Sequence, residues 1–112
     1  MNNKYRKLLL KESPNLYKSY EEIVDEQFEL FARKQLDYGI GNISTGANLE
    51  TKEGKDFALH GLWFRMNDKI SRWKNLIIKN RKGNNETLID TYQDLGNYSI
   101  ICQLINRGLW KE

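Results

Sequence analysis

Apolar residues recur at helical spacing along most of this chain, and no stretch alternates over a useful length as a strand would. Ser13, Pro14 and Asn15 read as a turn that closes a short N-terminal helix. From about Leu16 to Tyr38 nothing breaks the pattern. Tyr20, Ile23, Val24, Phe28 and Phe31 form the apolar positions, with Glu21, Glu22, Asp25, Glu26 and Glu29 on other faces. Gly39 ends that helix. The segment from Gly39 to Gly54 carries four glycines with Asn42, Ser44, Thr45 and Asn48, and it predicts a long loop of the kind that often carries function.

A third helix is expected from about Lys55 to Asn80, with Leu59, Leu62, Trp63, Met66, Ile70, Trp73 and Ile77 as its apolar stripe. Lys82, Gly83, Asn84 and Asn85 read as a turn with an asparagine able to cap the next helix. That fourth helix runs from about Glu86 to Asn106 and is closed by Gly108. It is apolar on more than one face, since Leu88, Tyr92 and Leu95 lie roughly opposite the stripe of Ile101, Leu104 and Ile105. A helix buried on two sides in so small a chain calls for a second subunit. The expected fold is therefore all-α, a single domain over residues 1–112. It has three long helices and a short N-terminal one, completed by oligomerisation.

The same fourth helix holds the most informative polar pattern. Glu86, Asp90 and Asp94 recur every four residues on one edge, and that edge continues into Asn97 and Ile101. Carboxylates that share a face with apolar residues repel one another and lose hydration unless a positive group compensates them. Two readings use the same residues. In one, the acids form an oxygen cage for Mg²⁺ or Mn²⁺, with Asp68 of the third helix as a further ligand. In the other, Arg65, Lys69 and Arg72, which lie with Asp68 as a charged stripe, neutralise the acids in a buried ion network. Dipole complementation explains Glu86 well and Asp90 in part, but not Asp94 two turns in.

Composition narrows the classes. At 112 residues with 29% charged and 12% aromatic residues, the chain is one globular domain and not a disordered segment. The formal charge of +3 is spread from end to end, which gives no strong nucleic-acid signal. Cys102 is a lone cysteine among apolar neighbours, consistent with a reducing cytoplasm. The apolar run near the N-terminus stops after three leucines, too short for a signal peptide or a membrane span. His60 has no second histidine or cysteine at ligand spacing, which argues against zinc. Glu22 and Glu26 are expected on a solvated face, and Trp63 and Trp73 are expected in the core. No P-loop pattern occurs in the glycine-containing segment. Asp37, an acid in the last turn of its helix, opposes the dipole and calls for a positive partner or a ligand.

Three motifs in order resemble one family. Lys34-x-x-Asp37-Tyr38-Gly39 is followed by Arg65-x-x-Asp68-Lys69-x-x-Arg72. Then comes Asn85-Glu86-Thr87-x-x-Asp90-Thr91-x-x-Asp94-Leu95-x-Asn97-Tyr98. Together, over residues 16–106, these resemble the nucleotide modification associated domain 1 family, common in bacteriophages and their hosts. That family is similar to the MazG-like all-α nucleoside triphosphate pyrophosphatases. The resemblance implies a Mg²⁺-dependent (deoxy)nucleoside triphosphate pyrophosphohydrolase, with Asp68, Glu86, Asp90 and Asp94 as catalytic metal ligands. It places Lys34, Asp37, Tyr38, Arg65, Lys69, Arg72 and Asn97 around the nucleotide, with the segment from Gly39 to Gly54 as a lid. The alternative is an oligomer that captures a nucleotide signal without hydrolysing it, as a phage protein opposing host immunity would. The pattern departs from the pyrophosphatases in two ways. Its acids are four apart, and no Glu-x-x-Glu lies beside Asp68.

Overall fold

A computed structural model describes residues 2–79 and 87–111, which form five helices and no strand. The elements are α1 (Lys4–Glu12), α2 (Pro14–Tyr38), α3 (Gly41–Ser44), α4 (Lys52–Ile77) and α5 (Leu88–Asn106). Each boundary has a local cause. The Ser13 amide closes α1 on the Leu9 carbonyl at 2.7 Å, and Pro14 opens α2 where its missing N–H costs nothing. Gly39 ends α2 with a φ of 71°, a backbone setting that favours glycine.

The expected long loop after Gly39 contains α3. Ile43 and Ser44 are buried there, so one helical turn is pinned against the body instead of lying free. The helix expected from Lys55 begins three residues earlier, because the Thr51 hydroxyl accepts the Gly54 amide at 3.0 Å and caps α4. At its far end α4 stops at Ile77, short of the expected Asn80, which lies outside the described residues. The turn expected at Lys82 to Asn85 also lies outside them. The cap of α5 is Thr87 and not an asparagine of that turn. Thr87 and Asp90 form a reciprocal capping box.

The pair α4 and α5 carries the body, and its core is small. Ala58 and Leu62 of α4, Ile101 and Ile105 of α5, Ile43 of α3 and Trp110 are its buried apolar side chains. Trp110 reaches this core through the turn after α5. The Gly108 amide bonds the Ile105 carbonyl at 3.0 Å and the Leu109 amide bonds the Leu104 carbonyl at 2.9 Å, a Schellman motif with Gly108 at φ 72°. The chain then folds back, so that the Trp110 indole donates to the Ile40 carbonyl at 3.2 Å and meets Phe31 edge-on. Trp63 and Trp73, expected in the core, are instead well exposed. The buried stripe of α4 runs through Gly54, Ala58 and Leu62, one step round from the tryptophans. Glu22 and Glu26 are exposed as expected.

Helix α2 crosses α5 at Gly96, where a Cβ would lie 2.6 Å from the Gln27 side-chain nitrogen. The neighbouring Asn97 amide donates to the Gln27 carbonyl at 3.3 Å and fixes the crossing. The radius of gyration is 16.7 Å, against about 13 Å for a compact domain of this length. No helix of the described residues is long and apolar enough to cross a membrane.

Gly54 sits at the tightest approach in the fold, because a Cβ there would overlap the Asn48 carbonyl. Gly54→Ala is expected to destabilise the chain by about 1–3 kcal/mol through that overlap. The gain in helix propensity is smaller, about 1 kcal/mol. A thermal melt should show a Tm several degrees lower, and an unchanged or higher Tm would refute the close approach.

Candidate functional site

Lys34 on α2, Asp94 on α5 and Lys69 on α4 come together as one charged cluster. The Lys34 ammonium lies 3.0 Å from Asp94 Oδ1, and the Lys69 ammonium lies 2.8 Å from Asp94 Oδ2. The Asp94 side chain is only 14% exposed and that of Lys69 is 18% exposed. Burial alone would push the Asp94 carboxyl up. Hydrogen bonding and charge from Lys69 and Lys34 outweigh it and hold the carboxyl below its ordinary value.

Lys34 and Asp94 of that cluster belong to the wall of a cavity of about 310 Å³ between α2, α3, α4 and α5, the lower end of the range for small-molecule sites. Lys34, Tyr38, Arg65, Asp94 and Asn97 all line it, with Phe31, Tyr98 and Trp110 as aromatic surface. The Arg65 guanidinium is fixed by donating to the Asn42 carbonyl at 2.7 Å. Asn97 is 7% exposed and its Oδ1 has no hydrogen-bond partner, while its amide nitrogen is held by Gln27. Turning the amide over would set oxygen against oxygen, so the free group is an acceptor. A buried acceptor without a donor costs about 1–3 kcal/mol, which a ligand bearing an N–H or O–H there would offset.

The structure brings together five of the residues singled out in the sequence: Lys34, Tyr38, Arg65, Asp94 and Asn97 line one cavity, and Lys69 joins them through Asp94. Arg72 is half-buried further along α4. Asp37, Asp68 and Asp90 are exposed and line none of this cavity. Asp90 is engaged in the cap, accepting the Thr87 amide on Oδ2 at 3.1 Å while its own amide donates to the Thr87 hydroxyl at 3.1 Å. Glu86 lies outside the described residues. Among the described residues no three acidic, histidine or cysteine side chains gather as a metal cage. Both oxygens of Asp94 already face ammonium groups, which would repel a divalent cation placed there. The described acids therefore do not fit a Mg²⁺ cage.

Sequence reading missed Phe31 and Trp110 as cavity walls. Phe31 reads as an ordinary core position. The signal for Trp110 is the glycine after α5 followed by Leu109 and a large aromatic, the pattern of a C-terminal turn that returns an apolar side chain to its helix. Cys102 is half-buried, and burial pushes its thiol up, which suits packing better than nucleophilic chemistry. Comparison of the chain with protein-family models, curated proteins and solved structures found no match.

The Asp94 cluster should make stability depend on acid. A carboxyl with a depressed folded pKa stabilises the fold fully above its unfolded value, near 4, and loses that contribution as pH falls through the folded value. Asp94→Asn is expected to cost about 1–3 kcal/mol at neutral pH. Urea unfolding at pH 7 and pH 3 should show the gap between wild type and variant narrowing in acid. A gap that stays constant would mean that the ion pairs contribute nothing.

Proposed function

We propose that this chain is a nucleotide-binding protein that takes the ligand's phosphates at Lys34 and Arg65 and its remaining part among Tyr38, Tyr98 and Asn97. The observation that carries this reading is one cavity that combines the cations Lys34 and Arg65, aromatic surface and a buried, unpaired acceptor. Arginine offers phosphate a planar pair of donors, and the lysine adds a compact charge. Aromatic rings give a flat face to a base, and the Asn97 Oδ1 takes a donor from base or sugar. The motif resemblance to the nucleotide modification associated domain 1 family supports a nucleotide as the class of anion, and with it a MazG-like arrangement of the helices. The extended radius of gyration and the exposed apolar residues support a homo-oligomer.

Capture is the favoured activity over Mg²⁺-dependent hydrolysis. Asp94 is engaged by two lysines and Asp90 by the helix cap, which supports roles in the fold for these two acids. Mg²⁺ enters this reading as a counter-ion carried by the ligand's own phosphates.

A thermal-shift panel of ribo- and deoxynucleotides, with and without Mg²⁺, tests the reading. At least one nucleotide should raise Tm without added metal and be recovered chemically intact. Lys34→Ala or Arg65→Ala should weaken it about 10- to 100-fold, the loss of one charge-assisted contact worth roughly 1.5–3 kcal/mol. No shift with any nucleotide would overturn the proposal. Release of pyrophosphate would replace capture with hydrolysis.

A further inference from the structure

The apolar stripe of α2 is only half used within one chain. Toward its C-terminus Gln27 meets α5 at Gly96 and Phe31 meets Trp110. The same stripe continues back through Phe28, Val24 and Tyr20, all exposed, with Phe28 at 70%. Helix α1 folds onto α2, where Arg6 lies 3.5 Å from Glu21 and over the Tyr17 ring, yet no residue of either helix is buried. A second uncovered face lies at the other end of the body. Ile70, Trp73 and Ile77 follow one another at helical spacing on α4, all exposed. Trp73 meets Tyr92 of α5 edge-on at 5.3 Å, which joins the two helices into one patch.

These two faces carry opposite charge. Residues 14–29 hold five acids and one lysine; Glu21 pairs with Arg6 of α1, and Asp25 and Glu29 stand exposed four apart along one edge of the stripe. On α4 Arg65, Lys69 and Arg72 are engaged within the chain, and the exposed Lys74, next to Ile70 and Ile77 on the helix surface, supplies the positive charge of this second face. The exposed area also has the magnitude an obligate partner requires. The chain exposes 9016 Å², roughly 2,500 Å² more than the ~6,500 Å² expected of a compact monomer of its mass. Two copies would thus have about 5,000 Å² to cover between them, the upper end of the roughly 2,000–5,000 Å² that obligate dimers bury in total.

We infer that the occupant of both faces is a second copy of this chain. The acidic, apolar N-terminal half of α2 from one copy lies on the basic, apolar C-terminal half of α4 in the other. A two-fold axis makes each contact twice and covers both faces at once. The inference rests on the self-association proposed above and adds which surfaces meet.

Light scattering of the intact protein should give twice the 13.3 kDa of one chain. In a mixture of ¹⁴N- and ¹⁵N-labelled copies, a zero-length carboxyl-to-amine cross-linker should join Asp25 or Glu29 of one copy to Lys74 of the other. Val24→Glu and Ile70→Glu, one on each face, should each shift the protein to lower mass or abolish assembly with loss of helical signal. A single-chain mass for the wild type would overturn self-association and this assignment together, and would leave the faces to a different protein. A double mass without cross-links between α2 and α4, or with both variants still fully assembled, would overturn the assignment of faces alone.

Discussion

Asp94 accepts one lysine from α2 and another from α4 while standing on α5, so a single carboxylate ties the three long helices together. Removing that carboxylate from water is costly, and the two short contacts to cations offset the cost. Of the two lysines, Lys34 reaches the cavity and stays half exposed, while Lys69 is largely buried behind Asp94. The carboxylate that joins the helices thus also forms part of the cavity wall.

The apolar core that accompanies this cluster is sparse. Among the described residues six apolar side chains are buried, and the 25-residue α2 adds none of them. Small domains gain little from burial, so a chain that leaves so much of a long helix uncovered has little stability of its own. The cavity lies on the well-packed side of α2, against α5 and Trp110. Phe31 and Trp110 therefore serve both as core and as wall.

Helical periodicity made the fold class readable, because Leu62, Ile101 and Ile105 sit where spacing puts them. Five cavity residues were also readable from their motifs: Lys34, Tyr38, Arg65, Asp94 and Asn97. The i, i+4 pattern of the acids was a weaker guide to what each acid does. Asp90 and Asp94 share an edge, yet one bonds a backbone amide at the helix start and the other meets lysines from two distant segments. Spacing reports which residues are neighbours on a helix, not which partners the rest of the chain delivers. The exposure of Trp63 and Trp73 was hidden for a related reason. An apolar stripe shows that a face wants cover, and it does not say whether the same chain supplies it. Trp110 was obscured because its burial depends on a turn beyond the helix and not on any period.

The crossing at Gly96 makes α2 a lever with its fulcrum at Gln27. Lys34 and Tyr38 lie on the short arm, over the cavity, and Val24, Tyr20 and Pro14 lie on the long one. Thirteen residues from fulcrum to tip span about 20 Å at 1.5 Å per residue, so a tilt of about 5° moves the tip by roughly 1.7 Å. Glycine at the fulcrum leaves room for the Gln27 side chain against α5, and the Asn97 amide holds the Gln27 carbonyl beside it, so the pivot is anchored on both sides. Whatever fixes the angle of the short arm also sets the height of the far end, and the geometry makes those two settings one degree of freedom.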